Sequence, residues 1–341
     1  MVTSSRTGLP TLEEVAALAG VGRGTVSRVI NNAPGVRETT RDAVQRAIAE
    51  LGYVPNRAAR ALAGNRADAV ALVIPETEKK FFTEPYFSEI IHGVSTGLAE
   101  TELQLLLTLV RTERERTRFL QYARARRIDG VLLVSVHHTD PLPDQLFALG
   151  IPTVLNGRRT ADEAVSYVDS DNAGGARAAV RHLLDTGRRK IVTIAGPADM
   201  YAARCRLRGY RDTVGGSGSP FDPSWVEEGD FTEESGRRAM TRLLHRHPDL
   251  DAVFAASDVM AAGALHALRS TGRRVPDDVA VIGFDDSPLA RHTDPQLTSV
   301  HQPVEDMGRT MVEVLLGGLT DPASVRRDVV LRTELVRRAS A

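Results

Sequence analysis

Residues 20–32 read GVGRGTVSRVINN. Alternating glycines ahead of small hydroxyls and arginines suit two chemistries. Backbone amides can cradle a phosphate, or the side chains can be presented to a nucleic acid. A dinucleotide-binding loop needs a strand before its first glycine. Here TLEEVAALA (11–19) precedes it, with Leu12, Val15, Ala16 and Ala19 at helical spacing. Thr11 followed three residues later by Glu14 is a capping-box start. A Walker loop needs Gly-Lys-Ser/Thr, and no lysine lies near. The phosphate-loop reading is therefore set aside.

What remains is helix, tight turn, helix. Gly20 suits the left-handed conformation that ends a helix. Arg23–Asn31 then forms a second helix, burying Val26, Val29 and Ile30 and turning Arg23, Gly24, Ser27 and Arg28 outward. That outward face carries no acid. A third helix over 38–53 has Val44, Ala47, Ile48 and Leu51 on one side. Three short helices make a helix-turn-helix headpiece with Arg23–Asn31 as recognition helix. Residues 1–66 hold nine arginines against five acids, a net +4, in a chain whose total is −1. Positive charge concentrated in a small unit is what a phosphate-binding module requires.

Other groups carry less. His245 and His247 are two apart, which does not put both on one helical face, and no cysteine or acid cluster accompanies them. His137 and His138 are adjacent and point apart. Neither pair makes a metal site. FDDSPLARH (284–292) contains Asp, Ser and His without a nucleophile elbow, so no catalytic residue is assigned and no cofactor or metal is expected. Cys205 is the one cysteine, so there is no disulfide framework. No apolar stretch reads as a signal peptide or approaches a membrane span. No membrane partner is expected, and the cytoplasm is the expected location.

From residue 68, short apolar runs alternate with helical segments: 69–75, 103–109, 129–135, then 190–196, 251–257 and 278–284. Such runs between helices mean parallel sheets covered on both faces. The expected fold is an all-α helix-turn-helix headpiece joined to an α/β body of two doubly wound parallel-sheet subdomains. Ligands in such folds sit at the carboxyl ends of the strands, so the cleft between the subdomains is the expected site.

TLEEVAALAGVGRGTVSRVINN with GYVPNRAARALAGNR (52–66) resembles the headpiece and hinge of the LacI/GalR family of bacterial transcription regulators. SYVDSDNAGGARAAVRHLL, RLRGYRD, EGDFTEESG, FAASDVMAAGAL and VAVIGFDDSPLARHTDPQLTSV extend the resemblance over essentially the whole chain. FFTEPYFSEI resembles the actinobacterial branch that responds to cellobiose and cello-oligosaccharides. The family resemblance implies a repressor with a periplasmic-binding-protein-like (type I) body. It would act as a homodimer on a palindromic double-stranded DNA operator and be released by a small carbohydrate. A monosaccharide or purine effector, or a sugar-binding protein without DNA binding, stays open.

The resemblance also divides the chain and assigns residues. The headpiece would cover 1–55 and a hinge helix 56–66. One subdomain would take 67–168 and 304–330, the other 169–303 and 331–341. Gly22 stands where the family usually has a capping serine, Gly24 at a base-reading position, and Arg37 where a capping serine or aspartate is usual. Base readout then leans on Arg23 and Arg28, which suit guanine O6 and N7. Thr25, Ser27 and Asn31 would hold phosphates. Asn56, Ala59 and Leu62 would meet the minor groove, with Leu62 as the apolar wedge. Arg206 and Asp285 would hold ligand hydroxyls; Tyr86, Phe87 and Phe231 would supply rings; Asn156 and Ser257 lie at strand ends. On residue type alone, Arg206 reads sooner as a surface ion pair, Asp285 as a helix cap and the phenylalanines as core; the family resemblance is what turns them toward a ligand.

Overall fold

The computed structural model describes residues 10–30, 33–53, 67–216, 221–321 and 326–341. It divides into two compact units, Met1–Ala67 and Asp68–Ala341.

The first unit holds α1 (Leu12–Ala19), α2 (Arg23–Ile30) and α3 (Glu38–Leu51). Both bonds of the Thr11–Glu14 capping box are made, and Gly20 ends α1 at φ 66°. Val15, Val26 and Val44, one from each helix, are fully buried at the centre of the core. Arg37 opens α3 without a side-chain cap bond. The third helix ends at Leu51, not at 53. Gly52 takes a left-handed φ of 61°, and Tyr53 turns back into the core.

The second unit contains two six-stranded sheets. The first comprises β1 (Ala69–Ile74), β2 (Gln104–Leu109), β3 (Gly130–Leu133), β4 (Thr153–Asn156), β5 (Ser166–Ser170) and β11 (Asp328–Leu331). Its order is β11-β5-β4-β3-β1-β2, and every pairing is parallel. The second comprises β6 (Ile191–Ala195), β7 (Val226–Glu228), β8 (Ala252–Ala255), β9 (Ala280–Asp285), β10 (Thr298–His301) and β12 (Glu334–Val336). Its order is β12-β10-β9-β8-β6-β7, with β12 alone antiparallel. Along β1, Val70, Leu72 and Ile74 enter one core cluster and Ala69, Ala71 and Val73 another. Both faces of the strand are thus covered, which is why it reads as a continuous apolar run.

The chain passes between the sheets after β5, after β10 and between β11 and β12. The expected divisions after 168 and after 330 therefore fall inside strands. Hydrogen bonding carries β5 to Ser170 and β11 to Leu331. After β10, helix α12 (Val304–Thr320) crosses back and packs on α5 (Pro85–Leu98). A Cβ at Gly93 would overlap the Glu305 carbonyl, so glycine is what lets these two helices touch.

Candidate functional sites

In the headpiece, α2 exposes Arg23, Gly24 and Arg28 while Thr25 and Ser27 are half-buried. A Cβ at Gly22 or Gly24 would meet nothing within 4 Å, so these glycines leave open surface rather than permit a close contact. No acid lies in the first turn of α2, so its positive dipole end is left for an anion. The expectation of an acid-free face needs one correction. Arg23 Nη1 pairs with Glu13 Oε1 of α1 at 2.9 Å, with both side chains exposed. Helical periodicity within α2 gives no view of what α1 contributes. Asn31, Asn56, Ala59 and Leu62 lie outside the described residues.

In the second unit, a cleft opens at the carboxyl ends of both sheets, and Tyr86, Phe87, Asn156, Arg206, Phe231, Ser257 and Asp285 all line it. They arrive from six strand ends or following helices. Asn156 ends β4, and Asp285 ends β9 at φ 107°, followed by Asp286 at φ 53°. Two successive non-glycine residues with positive φ are strained, and strain of this kind concentrates at binding sites.

Arg206, on α9 (Tyr201–Gly216), anchors the floor. It is 5 % exposed. Its Nε donates to Asn172 Oδ1 at 2.7 Å, Nη1 to the Ala256 carbonyl at 2.6 Å and to Asp285 Oδ1 at 3.3 Å, and Nη2 to Gln302 Oε1 at 3.0 Å. The guanidinium carbon lies 3.6 Å from the Phe284 ring centre. Four of the five N–H donors are thus engaged. The group is fixed in orientation with little freedom to lose when a ligand arrives. Burial pushes the Asp285 carboxyl up to about 6, and the neighbouring Arg206 only partly offsets it. Deeper still, Asp258 accepts from Ser287 N at 2.7 Å and from Ser299 Oγ at 2.5 Å. Burial, then the charge of Asp285, raise its pKa well above the usual range.

The aromatic assignments divide. Phe87 is 2 % exposed and packs in the first subdomain's core, 5.7 Å from the Phe81 ring centre. Its ring backs the wall instead of covering the cleft, because it sits on the buried face of α5. Tyr86 is the ring that faces inward, and its hydroxyl donates to Asn156 Oδ1. Phe231 stands on the opposite subdomain at φ 70°, with Lys80 Nζ 5.7 Å from its ring centre. Ser257 serves as N-cap of α11 (Asp258–Ser270), accepting from Met260 N.

Several lining residues were not expected. Asn172 and Gln302, which brace Arg206, carry no distinctive spacing; their role appears only when the strand ends converge. Glu84 and Glu89 line the wall beside Tyr86, and burial raises their carboxyl pKa values to about 8 and about 7. The cleft walls also touch. His137 Nδ1 meets Asp199 Oδ2 at 2.7 Å, Arg204 Nη2 donates to the Arg159 carbonyl at 2.9 Å, and the Arg158 guanidinium lies 4.9 Å from the Tyr201 ring centre. Among the described residues no group of His, Cys, Asp and Glu is arranged to hold a metal, and no helix is long and apolar enough to cross a membrane.

Comparison with known proteins follows this division of the chain. Residues 11–56 match the family model described as bacterial regulatory proteins, lacI family, and residues 180–341 match a periplasmic binding protein-like domain. The chain is 52 % identical over 333 residues to the HTH-type transcriptional regulator CelR of Thermobifida fusca, covering 97 % of this chain and 98 % of that one. It is 33 % identical to the ribose operon repressor of Escherichia coli K12, covering 98 % and 100 %. Among solved structures, a transcriptional regulator CelR–cellobiose complex superposes with a TM-score of 0.78 at 50 % identity, over 97 % of this chain and 100 % of that one. The lac repressor dimer bound to operator and the anti-inducer ONPF superposes at 0.83 with 27 % identity, over 98 % and 99 %.

Proposed function

The chain belongs to the LacI family of bacterial regulatory proteins, and from that premise we propose that it is a cytoplasmic repressor released from its operator by cellobiose or a short cello-oligosaccharide. It is a DNA-binding regulator and not an enzyme. The observation that carries the effector reading is the cleft. Fixed charged groups, Arg206 and Asp285, stand on its floor, and rings, Tyr86 and Phe231, stand on facing walls. Sugars offer flat apolar faces and hydroxyl rims, which such a site matches. The 52 % identity to CelR and the likeness to a CelR–cellobiose complex favour cellobiose.

The headpiece supports operator binding as a twofold dimer on an imperfect palindrome. Arg23 and Arg28 read bases; Thr25, Ser27 and Asn31 hold phosphates. Asn56, Ala59 and Leu62 approach the minor groove. Effector contacts come from both subdomains, so a bound sugar favours one angle between them. It shifts the regulator only by its different affinity for the two states. A regulator that acts on the chromosome of a bacterium works in the cytoplasm.

The test is selection of binding sites from random duplexes by the full chain, followed by release with sugars. The expected result is a palindromic consensus bound by a dimer and released by cellobiose. Release by a purine or monosaccharide instead would move the chain to another effector. An asymmetric footprint or a stable tetramer would overturn the assembly.

A further inference from the structure

Three buried polar atoms around the cleft have no hydrogen-bond partner: Asn156 Nδ2, Glu84 Oε1 and Glu89 Oε1. Asn156 is 5 % exposed, and its carbonyl oxygen is already taken by Tyr86. An orphaned amide donor in such a place is costly unless a ligand satisfies it. The two carboxyls are equally unfinished, and nothing so far gives them a role.

Their positions are set by α5. Glu84 is its N-cap, and Glu89 lies five residues on. Glu84 has an extended backbone ahead of the helix (φ −95°, ψ 119°), whereas Glu89 lies in its second turn. Glu84 feels the charges of Lys80, Glu76, Asp285 and Asp230, and Glu89 those of Asp285, Glu305, Asp286 and Arg291. Asp230 follows β7 and Asp286 follows β9, three strand spacings apart in the second sheet, or roughly 14 Å. Both unpartnered carboxyls thus border the cleft and share Asp285 as a neighbour, Glu84 with Asp230 and Glu89 with Asp286 as the further one.

We propose that Glu84 and Glu89 accept effector hydroxyls as carboxylates along the cleft wall beside Asp285, so that it selects a neutral saccharide of at least two rings and releases protons on binding it. This rests on reading the cleft as a saccharide site. The proton linkage follows from the same burial. With the cleft empty, an ionised oxygen there has no donor, and the carboxyls are held up at about 8 and about 7. Hydroxyl donors remove that penalty and lower both values. Affinity then rises with pH until each free-state value is passed, by up to about tenfold per pH unit per group. Asp285, held at about 6, contributes mainly below that pH.

The experiment is calorimetry of the full chain with cellobiose and with glucose at about pH 6, 7 and 8, in two buffers of different ionisation enthalpy. Expected for the wild type are at least about tenfold tighter cellobiose binding at pH 8 than at pH 6, buffer-dependent heat reporting proton release, and much weaker glucose binding. Glu84→Gln keeps an acceptor of the same shape but cannot ionise, so it should bind cellobiose and lose the rise between pH 7 and 8. Glu89→Gln should make the rise between pH 6 and 7 shallower and leave the rise between pH 7 and 8 unchanged. Equal affinity at all three pH values without proton release, unchanged slopes in both variants, or glucose binding as tightly as cellobiose would each overturn the inference while leaving the effector reading standing. If cellobiose is silent but another neutral disaccharide binds with the pH slope, the cellobiose assignment fails and the inference holds. Silence across a panel of neutral disaccharides overturns both.

Discussion

Arg206 and Asp285 approach to 3.3 Å on the floor of the cleft, yet Asp285 remains easier to protonate than a carboxylate in water. The guanidinium gives only one N–H to Asp285 and spends three more on Asn172, Ala256 and Gln302. Asp285 is therefore only partly satisfied and is ready to accept ligand hydroxyls. Asp285→Asn should preserve the fold and weaken cellobiose binding by about 10- to 100-fold, as expected for losing a charge-assisted bond of about 1.5–3 kcal/mol. Arg206→Ala should do more. It takes the donor from Asn172 Oδ1 and the Ala256 carbonyl and the counter-charge from Asp285, and should cost about 3–5 kcal/mol of stability, read by denaturant unfolding, as well as abolish the calorimetric signal.

The raised carboxyl values carry a stability consequence with a definite sign. Glu84 ionises near 8 in the folded protein against 4.5 for the free side chain. Between those values the folded state holds the proton and the unfolded chain does not. Stability therefore falls as pH rises through that window. Asp285 acts the same way between about 4 and about 6. The effector-free protein should lose thermal stability from about pH 5 to pH 8. Glu84→Gln should melt higher than wild type at pH 8, by on the order of 2–4 kcal/mol in free energy, and about equally at pH 5. A wild type whose melting temperature rises over that interval would contradict the assignment.

The periodic parts of the molecule were legible in the sequence. The capping box at Thr11, the left-handed Gly20 and the valine core of the headpiece follow from local spacing. So do β1, β3, β6, β8 and β9, whose apolar runs are continuous because both faces are covered. The exposed edge strands β7 and β11, with polar residues in them, gave no such signal. At the cleft, residues within distinctive motifs, Arg206 and Asp285, could be named in advance. Asn172 and Gln302 could not, because convergence of separate strand ends is a property of topology. Phe87 shows the reverse failure. Residue type suggests a stacking ring, but which face of α5 is buried depends on α12, more than 200 residues away in the chain.

The Arg23–Glu13 pair makes a prediction for DNA binding. If Arg23 reads bases as proposed, it must exchange this exposed carboxylate for DNA, and the acid itself repels phosphate. Exposed pairs contribute about 0–1 kcal/mol, so the exchange is cheap. Glu13→Gln should tighten operator binding by about two- to fivefold at low salt and less at high salt, where screening already weakens the pair. Arg28→Ala should cost about 1–3 kcal/mol and relax selectivity at one base position in each half-site. Uniform weakening across all sequences would reassign Arg28 to a phosphate.

His137 joins the two subdomains and predicts a pH dependence of its own. Its Nδ1 lies 2.7 Å from Asp199 Oδ2 across the cleft, and its Nε2 lies 3.4 Å from Glu76 Oε1 on its own side. The bond to Glu76, with help from Asp199, raises the imidazole pKa above 6.5 despite partial burial. Glu76 is held down to about 2 by His137, Lys80 and Ser135, which together outweigh its burial. It therefore stays ionised throughout the useful range. A group with a raised folded pKa stabilises fully below its unfolded value and loses that contribution as pH rises through the folded value. Protonated His137 thus favours the bridged arrangement below about pH 6.5 and loosens it at higher pH. His137→Gln keeps a neutral hydrogen bond but cannot be charged. The wild type should melt higher than this variant at pH 6, and the gap should narrow steadily as pH rises above 6.5. Asp199→Asn should reproduce part of the loss, since it removes the cross-cleft charge but leaves Glu76 in place. A gap between wild type and His137→Gln that stays constant with pH would mean that the bridge is held by neutral hydrogen bonding alone.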